Sequence, residues 1–407
     1  MKISDTQNIL NEIKKNHRDK ISELERKNKS GELSKKYLDK DIGWDEFQQH
    51  ITCNKYNGIF IQEPVIGWNV PLYQRPQHIA TALGRLGFLV IYKTGNWAGD
   101  DVNGFREVEN NVWLTDKWEP STLSGAVRSY YSTAYANTSD HAIKFENSQK
   151  IIYEYIDHID PEISGDEENI RKLISLKNYA FSGGADFIVS SAQKLYEESV
   201  ELAGLDKTIL VPNGVDTRHY NNAKHLEYNL PESVKKFKNK YKYIIGYFGA
   251  IAPWLWYEMI SSLVSARPDI GFIFIGPDYY GGVEKLPQSE NMLYLGTINY
   301  SVLPAYGKIF DICFIPFKPG EIAKTTSPLK LFEYFALKKP VVVTHEMHEC
   351  TIYPEVFSGD SLDKIIDAIN MAIIVKDNEL YIKRLEALAL ENDWDERAKK
   401  IAKTFDV

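Results

Sequence analysis

The segment from Thr325 to Val343, TTSPLKLFEYFALKKPVVV, says more about this chain than any other stretch. It predicts a helix that begins near Ser327 and is followed at once by a buried strand. Ser327 suits the N-cap, and Pro328 suits the first helical position, where no amide donor is lost. The free amides of a first helical turn attract an anion, and Lys330 adds a full positive charge in that turn. The pattern therefore favours a phosphate-binding helix end.

A carboxylate lies one turn deeper in this predicted helix. Glu333 follows Lys330 by three residues and therefore falls on the same face. A diphosphate at the amides and ribose hydroxyls at the carboxylate would suit a nucleotide sugar. The alternative is a solvated surface pair, which would contribute roughly 0.2–0.5 kcal/mol to stability. On the residues alone, both interpretations stay open.

The whole string resembles the SPLKxxEYxAxGKPVV element of bacterial GT-B glycosyltransferases, in the family-4-like branch that includes teichuronic acid and capsule glycosyltransferases. The resemblance extends over roughly residues 56 to 405. It implies an α/β fold of two Rossmann-like, doubly wound domains that face each other across a cleft, with the donor bound in that cleft. The donor-binding residues implied are Asn213, Gly249, Ala250, Thr326, Ser327, Pro328, Leu329, Lys330 and Glu333.

Length and composition agree with this architecture. A chain of 407 residues is comfortable for two domains. Its net charge of -8 argues against a general nucleic-acid binder. Cys53, Cys313 and Cys350 lie far apart and indicate reduced thiols. No apolar run is long enough to span a membrane, and the first residues lack the apolar core of a signal peptide. We therefore expect a cytoplasmic protein, with only peripheral contact at the inner face of the cell membrane.

Four parts follow one another along the chain. Residues 1–50 are highly charged with a thin apolar stripe, which predicts a helical extension. That extension is either solvated or a docking element for a protein or membrane partner. Residues 51–220 and 221–390 are predicted to be the acceptor and donor domains. Residues 391–407 resemble the last GT-B helix, which crosses back to the N-terminal domain.

Strands that alternate with helices predict a parallel sheet in each half of the chain. The predicted strands span residues 56–63, 88–94, 150–156, 185–191, 208–211, 243–249, 272–276, 292–296, 312–317 and 341–344. The predicted helices span residues 75–86, 167–181 and 193–203 and lie within 362–388. The polar stretch 221–242 is the predicted linker.

Further candidate residues lie in the first half. Arg75 and Pro76 open a predicted helix, where a guanidinium beside free amides suits an anion. The segment resembles the RPQHxAxxLxxxG element of the same branch, so Arg75 and His78 are candidate catalytic residues. A packed or capping role is the alternative for His78. Asp157 and His158 follow a predicted strand in a segment that resembles a YxYxD element, and they are candidate catalytic residues together with Lys330. Asp157 could orient His158 or a sugar hydroxyl, or the two residues could simply start a loop.

The chain departs from the pattern of the family at two positions. The common pattern places an Arg and a Lys on the first loop of the donor domain, where this chain offers Ala250 and, further on, Trp254 and Trp256. Lys330, Arg75 and helix amides would then have to neutralise the diphosphate. Thr325 stands where the first glutamate of an E-x7-E pair is usual. Since no acid pair or His/Cys cluster has metal-ligand spacing, we expect no metal.

These observations predict a glycosyltransferase that moves a sugar from a UDP-sugar to a bacterial glycan. The nucleotide sugar is a substrate, and no separate cofactor is expected. The resemblance implies retention of anomeric configuration, with the donor phosphate taking the acceptor proton. One alternative is a nucleotide-sugar epimerase, for which Asp157, His158 and His78 supply a thin set of titratable groups. The other is a non-catalytic scaffold subunit of a polysaccharide complex that docks through residues 1–50.

Overall fold

The structure of the protein, a computed structural model, describes residues 40–95, 99–133, 149–222 and 230–405. These residues form two compact units. The N-terminal unit consists of the described residues among 40–213, 325–327 and 394–405, and the C-terminal unit of those among 214–324 and 328–393. Most of the predicted helical extension, residues 1–39, lies outside the described residues. Within the described ranges, no helix has the length and apolarity needed to cross a membrane.

The N-terminal unit is built on one sheet. Its strands are β1 (Ile59–Gln62), β2 (Leu89–Lys93), β3 (Phe105–Glu109), β4 (Val112–Thr115), β5 (Val127–Tyr131), β6 (Lys150–Tyr155), β7 (Phe187–Ser190) and β8 (Thr208–Leu210). They lie in the order β3-β4-β2-β1-β5-β6-β7-β8. All neighbours are parallel except β3 and β4, which are antiparallel. Its first helices are α1 (Trp44–Cys53), α2 (Arg75–Arg85), α3 (Pro161–Ser164), α4 (Glu167–Tyr179) and α5 (Gln193–Ala203).

The C-terminal unit is built on a second, fully parallel sheet. Its strands are β9 (Tyr243–Phe248), β10 (Ile270–Ile275), β11 (Met292–Tyr294), β12 (Ile312–Ile315), β13 (Val341–Thr344) and β14 (Phe357–Gly359), in the order β11-β10-β9-β12-β13-β14. Its helices are α6 (Thr217–Asn222), α7 (Glu232–Lys240), α8 (Tyr257–Ala266), α9 (Leu303–Gly307), α10 (Glu321–Thr325), α11 (Leu329–Ala336), α12 (His348–Thr351), α13 (Leu362–Val375) and α14 (Glu379–Glu391). The last helix, α15 (Trp394–Ala402), belongs to the N-terminal unit.

The central strands of the C-terminal sheet show why the parallel arrangement could be predicted. Every residue of β10, β12 and β13 is buried, and so is every residue of β9 except the first. Strands covered by helices on both faces need continuous apolar runs, and these four have them. The prediction of two parallel α/β sheets is confirmed.

Several elements differ from the predictions. Strands β3, β4, β5 and β14 were not predicted, because they are three to five residues long and carry polar residues. Arg128 lies inside β5 and is neutralised there by Glu63, so a charged residue does not exclude a buried strand. The predicted linker is wrong in its second half. Helix α7 forms there, because Val234 and Phe237 bury a face that their three-residue spacing creates.

The segment around α1 is part of the N-terminal core. The backbones of Ile42 and Phe105 exchange two hydrogen bonds, of 2.9 and 3.0 Å. The ring of Phe47 is fully buried and stacks on that of Phe105, with centroids 4.1 Å apart. The predicted boundary at residue 50 therefore cuts through a helix that the sheet needs, and only residues before 40 remain candidates for a separate extension.

Candidate functional site

At the carboxyl edge of the C-terminal sheet, two strands end in glycine turns, of which the first is half-buried and the second is buried. Gly249 follows β9 with a φ of 141°, and Gly276 follows β10 with a φ of 148°. A Cβ on Gly276 would lie 1.8 Å from the carbonyl oxygen of Gly249, so only glycine fits there. The Gly249 amide donates to the carbonyl of Ile275 at 2.9 Å, which holds the two turns together. The half-buried Gly249 turn is therefore the part of this edge where a ligand can approach peptide groups that carry no side chain.

Lys330 lies over this glycine turn. A Cβ placed on Gly249 would come within 2.6 Å of Lys330 Cε and 3.2 Å of its Nζ. The ammonium also lies 5.5 Å from the ring centroid of Tyr247 and 5.3 Å from that of Phe317, within the range of cation–π attraction. The Tyr247 hydroxyl donates to the carbonyl of Ala250 at 2.9 Å, which orders the same turn. The structure thus brings Lys330, Gly249 and Ala250 together, as the resemblance implies.

Glu333 is buried one turn further along α11, with 8% of its surface exposed. Burial raises the pKa of its carboxyl to about 7, although a hydrogen-bonding interaction with the Tyr220 hydroxyl and the charge of Lys330 act in the opposite direction. The surface-pair alternative is therefore wrong for Glu333. A buried carboxyl poised near neutrality, beside a cation and an exposed backbone edge, is typical of a binding site.

Helix α6 supplies Tyr220 to this region. The ring of Tyr220 packs edge-on against Tyr300, with centroids 6.4 Å apart. The ring of His219 stacks on Tyr300 at 4.2 Å, and its Nε2 lies 3.0 Å from the Tyr300 carbonyl oxygen. Burial lowers the pKa of His219, so this imidazole is neutral at neutral pH. These contacts fix α6 and with it the direction of the Tyr220 side chain.

The segment before α11 differs from its prediction. The helix begins at Leu329 with Pro328 in the N-cap position, so Ser327 is not the N-cap. Ser327 instead belongs to the N-terminal unit, where its Oγ accepts from the Asn213 amide at 3.2 Å and its carbonyl accepts from Asn213 Nδ2 at 2.5 Å. Its hydroxyl is therefore used as an acceptor within the protein. Thr325 is buried beside it and Thr326 is half-buried.

Arg75 is held inside the N-terminal unit. Its Nε donates to Glu154 at 2.7 Å, and its Nη1 donates to the carbonyl of Val211 at 2.9 Å and to Asn213 Oδ1 at 3.2 Å. The side chains of Arg75 and Glu154 are 3% and 1% exposed. The remaining nitrogen of the guanidinium, Arg75 Nη2, has no hydrogen-bond partner among the described residues. Arg75 thus links β6 to the segment that follows β8.

His78 is packed between aromatic rings of the same unit. Its imidazole stacks on the indole of Trp394 in α15, with centroids 5.1 Å apart and an interplanar angle of 10°. The ring of Tyr73 contacts it edge-on at 5.7 Å. The packed alternative therefore describes where His78 lies, and its catalytic role stays a prediction.

Asp157 and His158 follow β6 as predicted and lie beside a cluster of polar side chains. Lys177 Nζ lies 2.6 Å from Glu198 Oε1 and 2.9 Å from the Tyr155 hydroxyl. Burial raises the pKa of Tyr155, and nearby Asp157 adds to the rise. Against the effect of burial, hydrogen bonds from Lys177 and Tyr155 lower the pKa of Glu198, with a smaller contribution from nearby His158. Asp157 and His158 therefore lie near the cluster of Lys177, Glu198 and Tyr155. A role for either residue in orienting a sugar stays a prediction.

Three side chains of the C-terminal site had not been singled out from the sequence. Tyr247 and Phe317 are aromatic residues at or just after strand ends, which is a weak signal in a chain with 25 Tyr and 18 Phe. Tyr220 lies one helical turn after the segment 212–216 (PNGVD), which holds the predicted donor-binding residue Asn213, and this proximity was the available signal. In the described part of the chain, no three His, Cys, Asp or Glu side chains gather into a possible metal site, and metal independence stays a prediction.

Solved structures of other proteins share the fold of this chain. The crystal structure of Anabaena Alr3699/HepE in complex with UDP and glucose matches with a TM-score of 0.59 at 13% identity, over 86% of this chain and 99% of that one. Trehalose-6-phosphate synthase OtsA matches with a TM-score of 0.63 at 11% identity, over the same shares. The chain has the GT-B fold.

The chain also has a relative in sequence. TuaH of Bacillus subtilis (strain 168), a protein assigned to teichuronic acid biosynthesis as a glycosyltransferase, is 27% identical over 268 residues. The match covers 62% of this chain and 66% of TuaH, just under two thirds of the length of that relative. No protein-family profile matches the chain. The relatives in sequence and in fold are glycosyltransferases.

Proposed function

We propose that this protein transfers a sugar from a UDP-sugar to a glycan acceptor during bacterial polysaccharide synthesis. The observation that carries the proposal is the position of the Lys330 ammonium over the bare Gly249 turn, with the buried Glu333 one helical turn away. TuaH and the UDP complexes of HepE support the choice of reaction and of nucleotide.

In this proposal each part of the site recognises one part of the donor. The Lys330 ammonium and the first amides of α11 bind the diphosphate. The ionised Glu333 carboxylate accepts hydrogen bonds from the ribose hydroxyls. As the bond between sugar and phosphate breaks, negative charge grows on the leaving diphosphate, and Lys330 stabilises it. Because Ala250 replaces a cationic side chain of the family pattern, Lys330 carries a larger share of this task.

Two finer points belong to the same proposal. The reaction retains anomeric configuration, with the donor phosphate taking the proton of the attacking acceptor hydroxyl. It needs no metal ion, because Lys330 and helix amides supply the positive charge that a divalent cation would otherwise supply. Retention is carried by the resemblance alone, and metal independence rests on the positive charge of Lys330 beside the Gly249 turn.

The test is turnover of a panel of nucleotide sugars by the full chain, with and without EDTA. We expect release of UDP from at least one UDP-sugar, and weaker or no activity with the GDP- and ADP-linked forms. Activity should survive EDTA, and NMR of the early product should show the donor's anomeric configuration. Tight UDP binding with no turnover of any donor or acceptor would instead support the scaffold alternative. Loss of all activity in EDTA, restored by Mg²⁺ or Mn²⁺, would contradict metal independence.

A further inference from the structure

The Tyr220 hydroxyl is buried without a regular hydrogen bond. Tyr220 is 2% exposed, and its hydroxyl reaches regular hydrogen-bond geometry with none of the described residues. Helix α6, which carries Tyr220, packs against α11, which carries Glu333. Among acidic groups, the Glu333 carboxyl acts most strongly on the Tyr220 hydroxyl. Leaving a buried hydroxyl unsatisfied costs about 1–3 kcal/mol, and phenylalanine would pack against Tyr300 equally well. The hydroxyl therefore needs an explanation other than packing.

We infer that Tyr220 is a positioning residue for Glu333: its hydroxyl donates to the carboxylate whenever Glu333 is ionised, which is the form that binds the ribose of the donor. The inference rests on the proposed function and goes beyond it, because it adds a second residue and a pH dependence to donor recognition. Tyr220 acts through Glu333 and needs no contact of its own with the donor.

The chemistry follows from the charge state of the carboxyl. The ionised form binds two neighbouring ribose hydroxyls more tightly than the neutral form, because both of its oxygens accept and its hydrogen bonds are charge-assisted. Burial opposes that form, so donor binding must be accompanied by loss of the Glu333 proton to solvent. A hydroxyl that donates to the carboxylate stabilises the ionised form. Tyr220 is placed to do this from outside α11.

Of the groups that act on Glu333, Tyr220 is the uncharged hydrogen-bond donor. Lys330 and Tyr334 act on it from its own helix, and Tyr220 acts on it from α6. Lys330 is also committed to the rings of Tyr247 and Phe317 over the glycine turn. Burial lowers the pKa of His219, which stacks on Tyr300, so its imidazole is neutral near pH 7. The pH dependence of donor binding near neutrality is therefore assigned to Glu333.

The test is calorimetry of UDP-glucose binding between about pH 5.5 and pH 8.5, an interval in which UDP-glucose itself does not titrate. The full-length proteins compared are wild type, Tyr220→Phe, Glu333→Gln and, as matched control, Tyr300→Phe. We expect wild-type affinity to rise roughly tenfold from pH 6 to pH 8. Tyr220→Phe should shift the midpoint upward by roughly 0.5–1 pH unit, so that its loss is three- to tenfold at pH 6 and small at pH 8.5. Glu333→Gln should bind weakly at every pH, and Tyr300→Phe should follow the wild type.

Two results would overturn the inference: a Tyr220→Phe curve that superimposes on the wild type, or a loss that is the same at every pH. Thermal unfolding of the ligand-free proteins over the same pH interval separates this inference from the proposed function. If UDP-glucose does not bind at any pH, the proposed function fails. An upward shift of the ligand-free pH curve in Tyr220→Phe, absent in Glu333→Gln, would still establish the coupling of the two residues. Absence of that shift would refute it.

Discussion

The carboxyl edges of the two sheets differ in how their charged residues are arranged. In the N-terminal unit, Glu63 binds both Arg128 and Lys93, and Arg75 binds Glu154 at 2.7 Å, so the buried charges neutralise each other. In the C-terminal unit, the edge is bare backbone at its glycine turns, and the ammonium of Lys330 lies over aromatic rings.

This contrast separates structural charges from charges that are placed for a ligand. A buried ion pair adds little net stability, but removing one partner is costly, because the other is left buried and uncompensated. A cation over aromatic rings and a carboxyl with a raised pKa gain when an anionic, hydroxyl-bearing ligand arrives. Mutations at the first edge should therefore change stability, and mutations at the second should change kinetics.

The largest effect is expected for Arg75→Ala. The change leaves Glu154 buried and unpaired, so the free energy of unfolding should fall by about 3–5 kcal/mol, measured by denaturant titration. Arg384→Ala is the matched control, because Arg384 pairs with Glu355 and Glu391 at the surface and should lose at most about 1 kcal/mol. An Arg75→Ala protein with wild-type stability and no activity would show instead that Arg75 is catalytic.

The second prediction concerns Lys330→Ala. Without the ammonium, the charge that grows on the leaving diphosphate is less stabilised, so kcat should fall on the order of a hundredfold or more. The midpoint of unfolding should change little, because the side chain is only partly buried. Lys338→Ala is the control, since Lys338 forms a surface pair with Glu386 at 2.8 Å. Wild-type kinetics in Lys330→Ala would remove the donor site from α11.

The same contrast explains what the sequence could predict of the fold. Strands β9, β12 and β13 are uninterrupted apolar runs that local pattern is enough to detect. Strand β5 was missed because Arg128 is acceptable there only through Glu63, which lies far away in the chain. Local pattern therefore predicted the strands whose burial is complete and missed those that depend on a distant partner.

The candidate site divides in the same way. Lys330, Glu333 and Gly249 could be predicted together, because a helix start and a glycine after a strand are local signals. The engagement of Ser327 by Asn213 could not be predicted, since the two residues are adjacent only in the folded chain. The hydroxyl of Tyr220 was missed for the same reason. Its role depends on a carboxyl that another helix supplies.

The third prediction concerns Glu333→Gln and the dependence of stability on pH. The folded-state pKa of about 7 lies above that of an unfolded glutamate, so the folded protein retains a proton between about pH 4.5 and pH 7. This contribution to stability is present at low pH and is lost as the pH rises through 7. Between pH 5.5 and 7.5 the loss is roughly 2 kcal/mol. Urea titrations should therefore show Glu333→Gln gaining on the wild type as the pH rises.

Glu258→Gln, an exposed position on α8, is the control for that experiment and should track the wild type across the pH range. A Glu333→Gln protein with the same pH dependence as the wild type would mean that Glu333 is already ionised in the free protein. The contrast between the two edges would then rest on Lys330 and the glycine turns alone.

The smallest effect is expected for His78→Phe. A phenyl ring can keep the stacking of His78 on Trp394, so the free energy of unfolding should change by less than about 2 kcal/mol and kcat by less than roughly threefold. Loss of a general base would instead lower kcat by roughly 10²–10⁴-fold and remove one limb of its pH profile. Steady-state kinetics across pH therefore distinguish the two roles. A pH profile that keeps both limbs in His78→Phe would assign His78 to packing. A profile that loses one limb would show that His78 is a catalytic residue of the N-terminal unit.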